Sequence, residues 1–236
     1  MTKPINSRVA IVTGGGRGIG LSIARSLTEA GVNVVIADVG VKIDGTDPDP
    51  MVAQAAASEI GGSTAAFNES ITSSSAAKAL VDYAIESFGR IDIVVNNAAI
   101  LRDGFIFKGN PADWDSVIST NLSAAYYLLA AATPLLRANS KNTKNYKYGR
   151  IVNITSTAGF YGNFGQAAYA SAKAGLFGLT RAVALDMARA GVTCNAVAPF
   201  AATRVTRTIQ PANDSQAEYK ARALRLSATH VATLVS

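Results

Sequence analysis

The stretch RVAIVTGGGRGIG (residues 8–20) passes from a β-branched apolar run straight into a cluster of glycines. The run RVAIVT (8–13) reads as a buried strand, and a helix is expected from residue 18. Glycines at such a junction let the backbone turn sharply and approach a pyrophosphate, which the exposed N–H groups of the helix start then bind. The spacing G-x-G-x-x-G does not fit, because from Gly14 its last position falls on Ile19. What fits is T-G-x-x-x-G-x-G, with Gly14, Gly18 and Gly20. A glycine cluster alone can be mere turn chemistry; its place between a first strand and a first helix points to a nucleotide site.

Working outward, short β-branched runs alternate with longer Ala-rich amphipathic stretches. VNVVIAD (32–38), STAAF (63–67), IDIVVN (91–96), GRIVNIT (149–155) and VTCNAVA (192–198) read as further strands. Helices are expected over 18–30, 51–61, 73–88, 111–137 and 166–190. Several strands are apolar on both faces, as in a parallel sheet covered on both sides. The expected fold is therefore α/β, a single-domain Rossmann-type doubly wound parallel sheet spanning residues 1–236. Two segments break the rhythm: the turn-rich DVGVKIDGTDPDP (38–50), and residues 201–225, which hold no clear strand. Both belong at the carboxyl edge of the sheet, where long connections serve as lids or binding loops.

Composition bounds the function classes. Of 236 residues, 49% are apolar and 16% charged, a globular balance and not a disordered one. No apolar run reaches the ~20 residues of a membrane span, and the N-terminus lacks the pattern of a secretory signal. The single cysteine excludes an internal disulfide and suits a reducing compartment, so a cytoplasmic location is expected. The net charge of +6 is scattered except in KNTKNYKYGR (141–150) and from Arg204 to Arg225. The former reads as a surface loop; no nucleic-acid motif accompanies either, and a basic rim also suits an anionic substrate.

Asp38 stands ~20 residues beyond the glycines, where a ribose-binding acid belongs. Its carboxylate can accept from both ribose hydroxyls of NAD and would repel the extra phosphate of NADP. Arg17 opposes this, since a basic residue in the glycine loop can meet that phosphate. NAD is the favoured cofactor and NADP the alternative. In AAYASAKAG (167–175), Tyr169 and Lys173 fall one helical turn apart on one face. Alone, such a pair reads as a solvated face.

Together, TGGGRGIG (13–20), NNAA (96–99), Asn121, Ser156 and YASAK (169–173) resemble the signature set of the short-chain dehydrogenase/reductases, in order over nearly the whole chain. The resemblance implies carbonyl/alcohol interconversion with Asn121, Ser156, Tyr169 and Lys173 as the catalytic set. A phenol with an ordinary pKa of ~10 is a poor base near neutrality. A lysine ammonium one turn away is expected to lower it. The family further implies that Lys173 binds the nicotinamide ribose, that Ser156 holds the substrate oxygen, and that Asn121 holds a water relaying protons from Lys173. Cofactor contacts are expected from Gly14, Arg17, Gly18, Ile19, Gly20, Asp38, Ser70, Ile71, Asn97, Ala98, Tyr169, Lys173, Pro199, Ala202 and Thr203. No metal is expected, since no His/Cys/carboxylate cluster has ligand spacing.

The sequence departs from the family at Ala99 and Phe200, both positions where glycine is usual, and at Glu69. Members usually close with a further helix and a seventh strand; this chain stops inside that helix. AAILRD (98–103), FYGNFGQAAY (160–169) and APFAATRVTRTIQP (198–211) resemble the (3R)-hydroxyacyl-CoA dehydrogenase-like members. A small alcohol, ketone or acyl-CoA is thus the expected substrate. The alternatives are an NADPH-dependent 3-oxoacyl-carrier-protein reductase and a nucleotide-binding regulator without turnover. The family's packing implies a homodimer or homotetramer, with Tyr126 and Tyr127 in the core or at an interface. His230 lies outside every motif.

Overall fold

The computed structural model describes residues 8–142, 149–211 and 213–236, so most of the expected loop at 141–150 lies outside the described residues. Six strands form one all-parallel sheet: β1 (Val9–Thr13), β2 (Asn33–Ala37), β3 (Thr64–Phe67), β4 (Ile93–Asn96), β5 (Arg150–Ile154) and β6 (Thr193–Val197). Their order is β3-β2-β1-β4-β5-β6. The direction of winding reverses between β1 and β4, which opens a crevice beyond the carboxyl ends of these strands. Every residue of β1, β2 and β4 is buried, which explains their continuous apolar reading.

The helices are α1 (Gly18–Glu29), α2 (Met51–Ile60), α3 (Ser74–Phe88), α4 (Pro111–Ile118), α5 (Ala124–Asn142), α6 (Ala158–Tyr161), α7 (Ala167–Met187), α8 (Arg204–Thr208), α9 (Asp214–Ala223) and α10 (Ala228–Val235). α1, α2 and α10 pack on one face of the sheet through Ile23, Leu27, Ala53 and Ala232. α3, α5 and α7 pack on the other through Leu80, Leu128, Leu136 and Met187. Burying one such Leu or Ile contributes about 1.5–3 kcal/mol. These two layers therefore hold the sheet rigid beneath the crevice. Among the described residues no helix is long and apolar enough to cross a membrane.

The helix expected at 111–137 is interrupted and runs on to Asn142. Between α4 and α5 lies a π turn, Ser119–Ser123, with the buried Asn121 at its centre. Asn121 Oδ1 accepts from Ile100 N–H at 2.9 Å, and its Nδ2 donates to Ile100 C=O at 2.9 Å. A mid-helix amide that reaches out to satisfy another segment's backbone commonly marks such a widened turn. The segment expected at 166–190 is preceded by the short α6 and ends in a 3₁₀ turn, Ala188–Ala190. The long connection 38–50 is pinned across the carboxyl edge. Leu101 N–H donates to Ile43 C=O at 2.8 Å, and the Arg102 and Arg204 guanidiniums donate to Asp44 C=O and Val41 C=O at 2.8 and 3.0 Å.

Candidate active site

At the glycine turn, the chain leaves β1 with Gly14 at φ +60° and Gly18 at φ +54°. A Cβ on Gly20 would sit 2.1 Å from the Gly14 carbonyl oxygen, so only glycine lets the first turn of α1 fold under the loop. Arg17 precedes α1 and gives no side-chain cap, which leaves the helix's first N–H groups for an anion. The Asn97 amide donates to Thr13 C=O at 2.9 Å and Gly14 C=O at 3.0 Å. Thr13 Oγ1 accepts from the Asn97 and Ala98 N–H groups. The Asn97 side chain thus ties two loops together.

Asp38 follows β2 directly. One carboxylate oxygen accepts from Gly16 N–H at 2.9 Å and the other from Gly40 N–H at 2.8 Å. Arg17 turns away, donating to Gly40 C=O at 3.1 Å and Val41 C=O at 3.3 Å. Arg204 reaches the same carbonyl. Its burial, and then the Arg17 charge beside it, lower its pKa, while the Asp38 carboxylate opposes the shift. Arg204 was legible in sequence only as part of a basic segment.

The Ser156 and Tyr169 side chains line the same part of the cleft, and the Ser156 hydroxyl favours the ionised phenol. Ser156 lies two residues beyond β5, and Tyr169 and Lys173 share the inner face of α7. Lys173 Nζ donates to Ile154 C=O at 2.7 Å and stands 5.7 Å from the Tyr169 ring centroid. The expected depression of the Tyr169 pKa is overturned. Burial of the phenol dominates and pushes it up to about 12; the Ser156 hydroxyl opposes this, and Tyr219 and Asp103 add to it. Burial also brings the Lys173 pKa down to about 8. The ammonium meets a carbonyl and the ring, and desolvation outweighs any help it gives the phenolate.

All these groups open onto one cleft of about 1640 Å³. Its lining includes Gly14, Arg17, Gly18, Ile19 and Asp38 at one end, with Ser70, Ile71, Asn97 and Ala98 beside them. Ser156, Tyr169, Lys173, Pro199 and Thr203 line the other part. Three expected site residues lie outside the cleft lining. Gly20 is packed beneath the loop. Ala202 donates its N–H to Leu226 C=O at 2.7 Å, and Ala201 takes its place in the lining. Asn121 is 2% exposed and lies behind the cleft wall, its amide used on Ile100. Asp103 and Gln166, which line the cleft with Tyr169, carried no sequence signal beyond the AAILRD and FYGNFGQAAY likenesses.

Residues 8–216 match the profile of a family described as short chain dehydrogenase. The chain belongs to the short-chain dehydrogenase family. Its members are oxidoreductases of CH–OH groups that bind nicotinamide cofactors. A Mycobacterium tuberculosis protein named as a short-chain type dehydrogenase/reductase is 40% identical over 210 residues, covering 88% of this chain and 71% of that one. Peroxisomal multifunctional enzyme type 2 of Drosophila melanogaster is 39% identical over 87% of this chain, which spans only 33% of that enzyme. A 3-oxoacyl-[acyl-carrier-protein] reductase of Synechocystis is also 39% identical, with 87% and 78% covered. The crystal structure of a short chain dehydrogenase from Mycobacterium avium superposes with a TM-score of 0.76 at 36% identity, covering 96% of this chain and 80% of that one.

Proposed function

We propose that this short-chain dehydrogenase is an NAD-dependent secondary-alcohol dehydrogenase acting on a 3-hydroxyacyl-CoA or a similar acyl compound. The observation that carries this reading is the Ser156–Tyr169 hydroxyl pair with Lys173, opening onto the same cleft as the glycine turn and Asp38. The chain's own residues fit a dinucleotide. The uncapped start of α1 suits a diphosphate, and Asp38, oriented by two backbone N–H groups, suits a ribose diol. When bound, the nicotinamide supplies the hydride chemistry. Ser156 would hold the substrate oxygen while Tyr169 passes a proton to it or takes one from it. Lys173 orients the phenol from below.

Asp38 supports NAD, since it would sit against an added ribose phosphate, and Arg17 points into loop carbonyls. The second reading, an NADPH-dependent 3-oxoacyl reductase, draws on the two guanidiniums gathered near Asp38 and on the Synechocystis relative. The named acyl relatives and the apolar cleft walls at Leu101, Phe105 and Ile209 support an acyl substrate. The test is NADH formation with (3R)-hydroxybutyryl-CoA and longer homologues, NAD beside NADP, and Tyr169→Phe as the blank. Loss of general acid–base help lowers turnover ~10²–10⁴-fold, so Tyr169→Phe should fall by that order while still binding NAD. Turnover that survives the change would refute the assignment of Tyr169.

A further inference from the structure

Asp103 is the cleft residue whose position the proposed chemistry leaves unexplained. It follows β4 by seven residues, yet its carboxylate meets α7's entry: Gln166 Nε2 donates to Asp103 Oδ2 at 3.0 Å. Gln166 is 9% exposed and immediately precedes α7, three residues before Tyr169. Its other amide end accepts from Asn163 Nδ2 at 3.1 Å. The backbones join as well, through Gly104 N–H to Gly165 C=O at 2.7 Å and a parallel bridge between Gly104 and Gln166. The loop Gly162–Gln166, which walls the substrate side of the cleft, is thereby clipped to the segment after β4.

The same carboxylate keeps its charge to itself. Its neighbour Arg102 is turned the other way, onto Asp44 C=O and the Asp113 carboxylate at 2.8 Å each. Among the described residues Asp103 makes no ion pair. Ser156 after β5, Lys173 on α7, Tyr219 on α9 and Asp103 after β4 line the same cleft as Tyr169. Of these, Asp103 brings the one carboxylate.

Resting on the reading of Tyr169 as the acid–base group, we infer that Asp103 is a positioning residue. Through Gln166 it seats the substrate-side loop, and its charge holds the Tyr169 phenol in the proton-donating form that carbonyl reduction needs. The direction follows from electrostatics, because a nearby negative charge disfavours a second one on the phenol oxygen. After burial, the charges of Tyr219 and Asp103 are what raise Tyr169 further. Burial raises Asp103 itself, against the Gln166 bond.

Asp103→Asn and Asp103→Ala separate the two roles, since Asn keeps an acceptor for Gln166 and loses only the charge. Tyrosine carrying ¹³C at Cζ reports the phenol's protonation without substrate or cofactor, and the Tyr169 resonance is the one missing in Tyr169→Phe. In Asp103→Asn it should begin to titrate roughly half to one pH unit earlier than in the wild type. Curves that superimpose, flat or titrating, overturn the charge role. In turnover, the acid limb of alcohol oxidation should move down in pH in Asp103→Asn. Asp103→Ala alone should raise KM further, by roughly tenfold, as the bond to Gln166 is lost. Equal KM in the two variants overturns the seating role. Turnover that survives Tyr169→Phe would instead sink the acid–base reading itself, and the resonance titration would still judge the charge.

Discussion

Lys173 is 2% exposed and its ammonium has one protein acceptor, the Ile154 carbonyl. Burial that lowers its pKa from 10.5 to about 8 is a stability penalty with a definite pH window. Below about 8 both folded and unfolded chains carry the proton, and the penalty is full. Between about 8 and about 10 the unfolded chain keeps it and the folded chain loses it, so stability rises with pH by up to about 1.4 kcal/mol per unit. Above 10 the raised Tyr169 acts in the opposite sense. Urea unfolding of Lys173→Met against wild type should therefore show a gap in the variant's favour that shrinks by roughly 2 kcal/mol from pH 8 to 10. A gap independent of pH would mean that Lys173 titrates normally. At the other end of the cleft, Asp38→Asn keeps the side chain's size and removes its charge. The ratio of kcat/KM for NAD over NADP should fall about tenfold or more, the equivalent of about 1.4 kcal/mol. An unchanged ratio would locate cofactor choice elsewhere.

Among the elements, the π turn at Ser119–Ser123 is one that periodicity could not forecast. Apolar spacing over 111–137 is continuous, because the break serves a partner far away in sequence. Asn121 satisfies both backbone groups of Ile100, a buried residue of the loop after β4. Asn121→Ala leaves that N–H and C=O unpaired in the interior and should cost about 2–4 kcal/mol in urea unfolding. A loss under about 0.5 kcal/mol would mean that Ile100 has other partners to hand. The same loop runs on to Arg102 and Asp103, so its seating governs the connection 38–50 on one side and the entry to α7 on the other.

For the whole molecule, α5 and α7 each leave a large apolar side chain in solvent. Tyr126 is 56% exposed and Leu185 80%. Exposed apolar side chains at these positions suit the expected homodimer or homotetramer. Light scattering of the wild type should report a mass that is a small multiple of the single chain, and Leu185→Glu should lower it. A monomeric wild type would refute the assembly.

The six strands, their parallel arrangement and the glycine turn were legible in the sequence, because each depends on local pattern: β-branched runs, helical period, and glycines at one junction. Ser156, Tyr169 and Lys173 were legible as a spaced set. Tertiary structure alone decided what surrounds them. The phenol's burial reversed the expected direction of its ionisation. Gly20 and Ala202 were carried out of the cleft by packing under the loop and by a backbone bond to Leu226. Asp103 was brought to the entry of α7 across 63 residues of sequence. Desolvation and contacts between distant segments are properties of the packed chain, and no local pattern encodes them.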